Sequence, residues 1–184
     1  MGKYSSYHIC AINGSSRPDK STGRALSVIL QDAEKLGAMT EFINLCEEKL
    51  DPCDGTETPV LADDFRRVYQ SLKKADGIIF GTPTYWFTMS GLMKNFIDRL
   101  TVTEGDWMLE NKVAGFVATG DREEDGAMAA LSSIASAVNH LGMATFPYSL
   151  LYFRGKGSRW AREDHRQYAK RMLEMIRVMR AYKS

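Results

Sequence analysis

Short apolar runs alternate along the chain with longer stretches whose apolar residues recur every three or four positions. The first run, Tyr7 to Asn13 (YHICAIN), ends in Asn-Gly and reads as a buried strand leading into a turn. A polar loop, Gly14 to Ser21, follows. From Thr22 onward Ala25, Leu26, Ile29, Leu30, Ala33 and Leu36 fall at helical spacing, and Gly37 supplies a stop. Phe42, Ile43 and Leu45 mark a second strand, after which Cys46 to Pro59 shows no period. Val60 to Lys74 reads as a helix with Phe65, Val68, Tyr69 and Leu72 on one face. Gly77 to Gly81 (GIIFG) is a third buried strand, followed by the loop TPTYWFTMS. Leu92, Met93, Phe96, Ile97 and Leu100 define the next helix. Val113 to Thr119 is a fourth strand, Met128 to Leu141 an Ala-rich helix, and Ala144 to Phe153 a fifth strand. The last helix, Trp160 to Tyr182, places Tyr168, Met172, Met175, Ile176 and Met179 at helical intervals.

Five apolar strands alternating with five helices predict an α/β fold, a parallel sheet covered on both faces. No repeat and no linker divides the chain, so residues 1–184 are expected to form one domain. Sheets of this kind bind ligands in the crevice beyond the carboxyl ends of their strands, where strand order reverses. The loops after strands one, three and four are therefore where function is expected.

Composition narrows the class of protein. Of the 184 residues 44% are hydrophobic and 26% charged, which fits a folded chain rather than a disordered one. A net charge of +1 removes the electrostatic case for nucleic acid as the main partner. That balance hides an asymmetry: Arg154 to Ser184 holds ten Lys or Arg against three Asp or Glu, a local +7 that leaves −6 for the rest. Such a segment could attract a phosphorylated nicotinamide cofactor or an acidic partner, dock on another subunit, or be a solvated basic face. Cys10, Cys46 and Cys53 make neither a disulfide framework nor a zinc site by spacing, and a reducing compartment suits them. The start, Met1 to His8, has no apolar run of signal-peptide length, and no stretch approaches the roughly 20 apolar residues of a membrane span. A cytoplasmic protein without membrane contact is expected.

The loop after strand one, Gly14-Ser15-Ser16-Arg17-Pro18-Asp19-Lys20-Ser21-Thr22, runs from a strand into a helix start. Hydroxyls of Ser15, Ser21 and Thr22, the charge of Arg17, the backbone N–H groups and the helix dipole together can hold an anion such as a phosphate. The order matches neither GxxxxGK[ST] nor GxGxxG, so an ATP-type loop and the dinucleotide fingerprint are both unsupported. A plain helix N-cap at Ser21 or Thr22 is the other reading. The loop after strand three carries Tyr85, Trp86 and Phe87 in succession, behind a stiffening Pro83 and ahead of a helix start at Ser90-Gly91. An exposed aromatic run needs cover, which a planar ligand or a partner subunit would supply.

GSSRPDKST after strand one, GIIFGTPTYWFTMSGLMKNFIDR around strand three and the Thr-Gly after strand four together resemble the flavodoxin-like NAD(P)H-dependent FMN reductases, near the branch of the iron–sulfur flavoproteins. The resemblance covers residues 7 to 150. It implies a three-layer flavodoxin-like sandwich with a five-stranded parallel sheet of order 2-1-3-4-5 and FMN at its edge. By position, Ser15, Arg17, Ser21 and Thr22 match the family's phosphate loop. Pro83, Thr84, Tyr85 and Trp86 match the segment along the flavin ring, with Phe87 beside it. Thr119, Gly120 and Asp121 match the third flavin loop, although Asp121-Arg122-Glu123-Glu124-Asp125-Gly126 replaces the usual Gly-rich stretch. Relatives with an iron–sulfur cluster carry closely spaced cysteines after strand two. Here that loop has only Cys53, and a cluster needs about four thiolates.

The resemblance implies an oxidoreductase with FMN as cofactor and NADPH or NADH as hydride donor, reducing a flavin, quinone or other small-molecule electron acceptor. The flavin carries the chemistry, so no catalytic side chain and no metal is expected, and a homodimer or homotetramer is implied. His8, His140 and His165 fall in a strand and two helices and are expected to be structural. Two other functions remain open on the sequence: a flavodoxin-type electron carrier, disfavoured by the neutral charge and the absence of a Thr-rich phosphate loop, and a flavin-binding module without turnover.

Overall fold

Apolar residues at both odd and even positions of each strand force the sheet to be covered on both sides. The computed structural model describes residues 4–56, 63–120, 126–154 and 160–183. Strands β1 (His8–Asn13), β2 (Met39–Asn44), β3 (Gly77–Tyr85), β5 (Val113–Gly120) and β6 (Ala144–Arg154) pair in parallel in the order β2-β1-β3-β5-β6. Counting these five alone, the order is the expected 2-1-3-4-5. A short β4 (Thr88–Met89) pairs antiparallel with the end of β3 and was not foreseen. Helices α1 (Ser21–Lys35) and α5 (Trp160–Lys183) cover one face; α2 (Phe65–Lys74), α3 (Gly91–Arg99) and α4 (Ala127–His140) cover the other.

The period of two is visible in the packing. Ile9 and Ala11 of β1 and Ile79 of β3 join Leu26, Ile29, Tyr168, Met172 and Ile176 in the α1–α5 layer. Their neighbours Cys10, Ile12, Ile78 and Phe80 join Phe65, Val68, Phe96 and Ile134 on the opposite side. Both layers are apolar over the middle of the sheet, as a doubly covered parallel sheet requires, and polar residues such as Asn13, Thr82 and Thr119 enter toward the strand ends. No helix of the described residues is long and apolar enough to cross a membrane.

Boundaries differ from the sequence reading where local chemistry overrides pattern. Residues 60–62 of the expected second helix lie outside the described residues, and α2 begins at Phe65, just after Asp63. The Asp63 carboxylate is committed elsewhere: it takes two bonds from buried Arg99 and accepts the amides of Asp51 and Phe65. Burial alone would raise its pKa, yet the Arg99 guanidinium and those amides hold it below the usual carboxylate value. Asn95 donates to the Asp51 carbonyl and accepts the Cys53 amide, so the loop after β2 is pinned to α3.

His165 sits buried in α5 against the Phe153 ring, 4.5 Å between centroids, and neither ring nitrogen has a hydrogen-bond partner among the described residues. Burial pushes its pKa below 6.5, against the weaker upward pull of Asp32 and Asp164. Between that lowered value and 6.5 the unfolded chain binds more protons than the folded one, so stability rises with pH there and is lost on acidification. Urea denaturation followed through pH 6.5 should therefore show falling stability on the acid side, and His165→Leu should flatten that fall. An unchanged slope in the variant would assign the pH dependence to other groups.

Candidate functional site

The parallel ladder between β1 and β3 ends in a split. Asn13, fully buried at the end of β1, accepts the Ser15 amide on its side-chain oxygen and donates to Asn44 and to the Pro18 carbonyl. These bonds fold the loop after β1 over the start of α1. Ser15 shapes the same turn: its hydroxyl accepts the Arg17 amide and directs its proton at the Arg17 carbonyl. It therefore lines the cleft as a turn former, with its proton committed inside the loop.

The N-terminus of α1 is left open. Lys20 is its N-cap, not Ser21 or Thr22, and no side chain caps it; no acidic residue occupies its first turn. The first helical hydrogen bond runs from the Arg24 amide to the Lys20 carbonyl, so the amides of Ser21, Thr22 and Gly23 precede any intrahelical partner. Open amides, the positive end of the helix dipole and the cations Arg17 and Lys20 converge on one spot, a site with the chemistry of an anion binder.

That spot is one end of an open cleft lined by Ser15, Arg17, Lys20, Ser21, Thr22, Pro83, Thr84, Tyr85, Thr119 and Gly120. Nine of the twelve residues singled out from sequence are therefore brought together. Lys20 was missed; its signal was its place immediately before the helix. Hydroxyls, most of them buried, tie the three loops. Thr22 and Thr119 meet at 2.6 Å, the Thr84 hydroxyl donates to the Thr119 carbonyl, and the Ser90 hydroxyl donates to the Gly14 carbonyl while accepting the Met93 amide as the cap of α3.

Trp86 and Phe87 do not line the cleft. The expected loop after strand three is a hairpin: β3 runs on to Tyr85, and Thr84 pairs with Met89, Tyr85 with Thr88. Trp86 and Phe87 form its two-residue tip, both with positive φ, at 47° and 64°. They are 93% and 62% exposed. Asn-Gly is the ordinary choice for such a turn, and each bulky residue held there costs roughly 1–2 kcal/mol. The tip rests on the start of α4, where a Cβ added to Gly126 would lie 2.1 Å from the Phe87 carbonyl oxygen. Asp121 lies outside the described residues. Cys10, Cys46 and Cys53 are free thiols in β1, in the turn after β2 and in the loop beyond it.

Comparison with known proteins places this chain in a family. The NADPH-dependent FMN reductase family model matches residues 7–179. An iron-sulfur flavoprotein of Archaeoglobus fulgidus is 36% identical over 151 residues, covering 78% of this chain and 73% of that protein. Among solved structures, RosB with a bound 8-demethyl-8-formylriboflavin-5'-phosphate superposes with a TM-score of 0.82 at 17% identity, over 95% of this chain and 81% of that one. The flavodoxin-type WrbA-like protein of Agrobacterium tumefaciens gives a TM-score of 0.71 at 20% identity, over 95% and 99% of the two chains. At those identities the structures establish the flavodoxin-like fold.

Relieving the hairpin tip is a direct test of its strain. Replacing Trp86 with Asn and Phe87 with Gly should raise unfolding free energy by roughly 1–2 kcal/mol in urea denaturation, the relief at two positions less the freedom Gly adds to the unfolded chain. A variant no more stable than the parent would contradict the strain. The sequence match and the converging loops together identify the chain as a member of the NADPH-dependent FMN reductase family.

Proposed function

We propose that this chain is an FMN-containing oxidoreductase that takes hydride from NADPH or NADH and reduces a small acceptor such as a free flavin or a quinone. The observation that carries this reading is the open N-terminus of α1 at the mouth of the β1–β3 split, faced by Arg17 and Lys20 and continuous with the Pro83–Tyr85 edge. The residues present fit the cofactor: unpartnered amides and two cations suit a phosphate monoester, and the extended backbone leading to Tyr85 suits a flat ring. FMN, when bound, supplies the redox chemistry.

The chain's own work is to bind, orient and shield. Arg17, Lys20 and the first-turn amides of α1 hold the phosphate, each charge-assisted bond contributing on the order of 1.5–3 kcal/mol. Pro83, Thr84 and Tyr85 line the ring's path, and Gly120 closes the far wall. Trp86 and Phe87, held out by the hairpin, cover the ring end in the assembled enzyme. We take residues 1–184 as one FMN-binding domain acting in a homodimer or homotetramer, with the aromatic tips as surface that a second copy covers. With three cysteines in the chain, it works without an iron–sulfur cluster of its own.

The test is the visible spectrum of the purified protein after incubation with FMN, repeated without oxygen on addition of NADPH. A retained flavin spectrum that bleaches with NADPH is expected. A protein that takes up no FMN would overturn the proposal, and a bound flavin that neither NADPH nor NADH bleaches would reduce it to a carrier.

A further inference from the structure

Thr22 and Thr119 stand 97 residues apart in sequence, in different loops, yet their hydroxyls meet at 2.6 Å. Both side chains are almost fully buried, at 2% and 3% exposure. A threonine hydroxyl carries one proton and two lone pairs. Two hydroxyls bonded to each other therefore spend one proton of two. The second proton has no acceptor among the described residues. A buried donor left without an acceptor is costly, and these two border the same cleft. Thr22 lies in the first turn of α1, beside the open amides, where an anion is best placed to accept that proton. Thr119 is anchored on its other side by the Thr84 hydroxyl, which donates to its carbonyl.

We propose that Thr119 is a positioning residue for the cofactor's phosphate, acting through Thr22 rather than on the flavin ring. This rests on the function proposed above. An anion at the end of α1 draws the Thr22 proton outward; Thr22 then accepts the proton of Thr119, and both buried hydroxyls are satisfied. The relay runs Thr119 to Thr22 to a phosphate oxygen, with no bond broken and no proton transferred. The 2.6 Å bond ties the end of β5, and with it Gly120, to the phosphate loop, and a bound phosphate fixes that bond's direction. By sequence position Thr119 matched the ring-contacting third loop, so the geometry points to a different role.

The experiment is flavin-fluorescence titration in phosphate-free buffer with FMN and with riboflavin, which has the ring and lacks the phosphate. Thr119→Val should weaken FMN about tenfold and leave riboflavin unchanged, the loss of one hydrogen bond in a charge-assisted chain. Thr119→Ser should restore the FMN affinity. The double variant Thr22→Val with Thr119→Val should bind FMN no more weakly than Thr22→Val alone. Riboflavin binding reports that each variant is folded. The relay is overturned if Thr119→Val leaves FMN unchanged, weakens both flavins alike, or adds its loss to that of Thr22→Val. A parent protein that binds no FMN overturns the function reading itself, whereas a parent that binds FMN as tightly as Thr119→Val overturns the relay alone.

Discussion

The hydrogen bond from the Gly14 amide to the Gly81 carbonyl, 2.7 Å long, closes the β1–β3 ladder, and everything functional depends on what happens beyond it. Past that bond the two backbones part, one turning into α1 and the other continuing to the hairpin. Strand order reverses at this place, so no crossing loop fills the gap. The close approach admits no side chain: a Cβ on Gly14 would lie 2.8 Å from the Met93 Cβ. Ser90 then seals the junction from the α3 side through its bond to the Gly14 carbonyl. The cleft is thus a consequence of the parallel topology, and the loops only furnish it.

The furnishing is costly in local stability, and the costs collect at one end of the sheet. The N-terminus of α1 goes without a capping side chain, which a Ser, Thr or Asp would normally supply for about 1 kcal/mol. The hairpin tip holds two large aromatics in the left-handed region. A buried hydroxyl proton at the Thr22–Thr119 pair lacks an acceptor among the described residues. The doubly covered sheet offsets these, with its two apolar layers and the Phe65, Phe80, Phe96 and Phe116 rings packed about 6 Å apart. Local rules broken together at one site, inside a body that obeys them, mark where a ligand belongs.

Most of the fold was legible because both-face apolar strands and helical periods are strong signals, and Ile9 to Ile12 or Leu26 to Leu30 leave little choice. The loop after β1 was legible too as part of the cleft, since its hydroxyls and a cation lie between a strand and a helix start. What escaped depended on backbone conformation or on long-range pairing. Trp86-Phe87 carries no turn signature, so the hairpin was invisible until the strands were seen to pair. The N-cap at Lys20 contradicts capping preference, and Ser21 and Thr22 were the natural choices. The contact of Thr22 with Thr119 joins residues that no local pattern connects. The family resemblance singled out Thr119, which lines the cleft, while its contact with Thr22 came only from geometry.

Hydrogen exchange measured with and without FMN tests the central claim most directly, because it reads backbone protection along the whole chain. Added protection confined to the loop and first turn of α1, the Pro83–Ser90 segment and the end of β5 is the predicted result. Protection that appears elsewhere, or none at these three segments while FMN is bound, would contradict a cofactor site at the β1–β3 split.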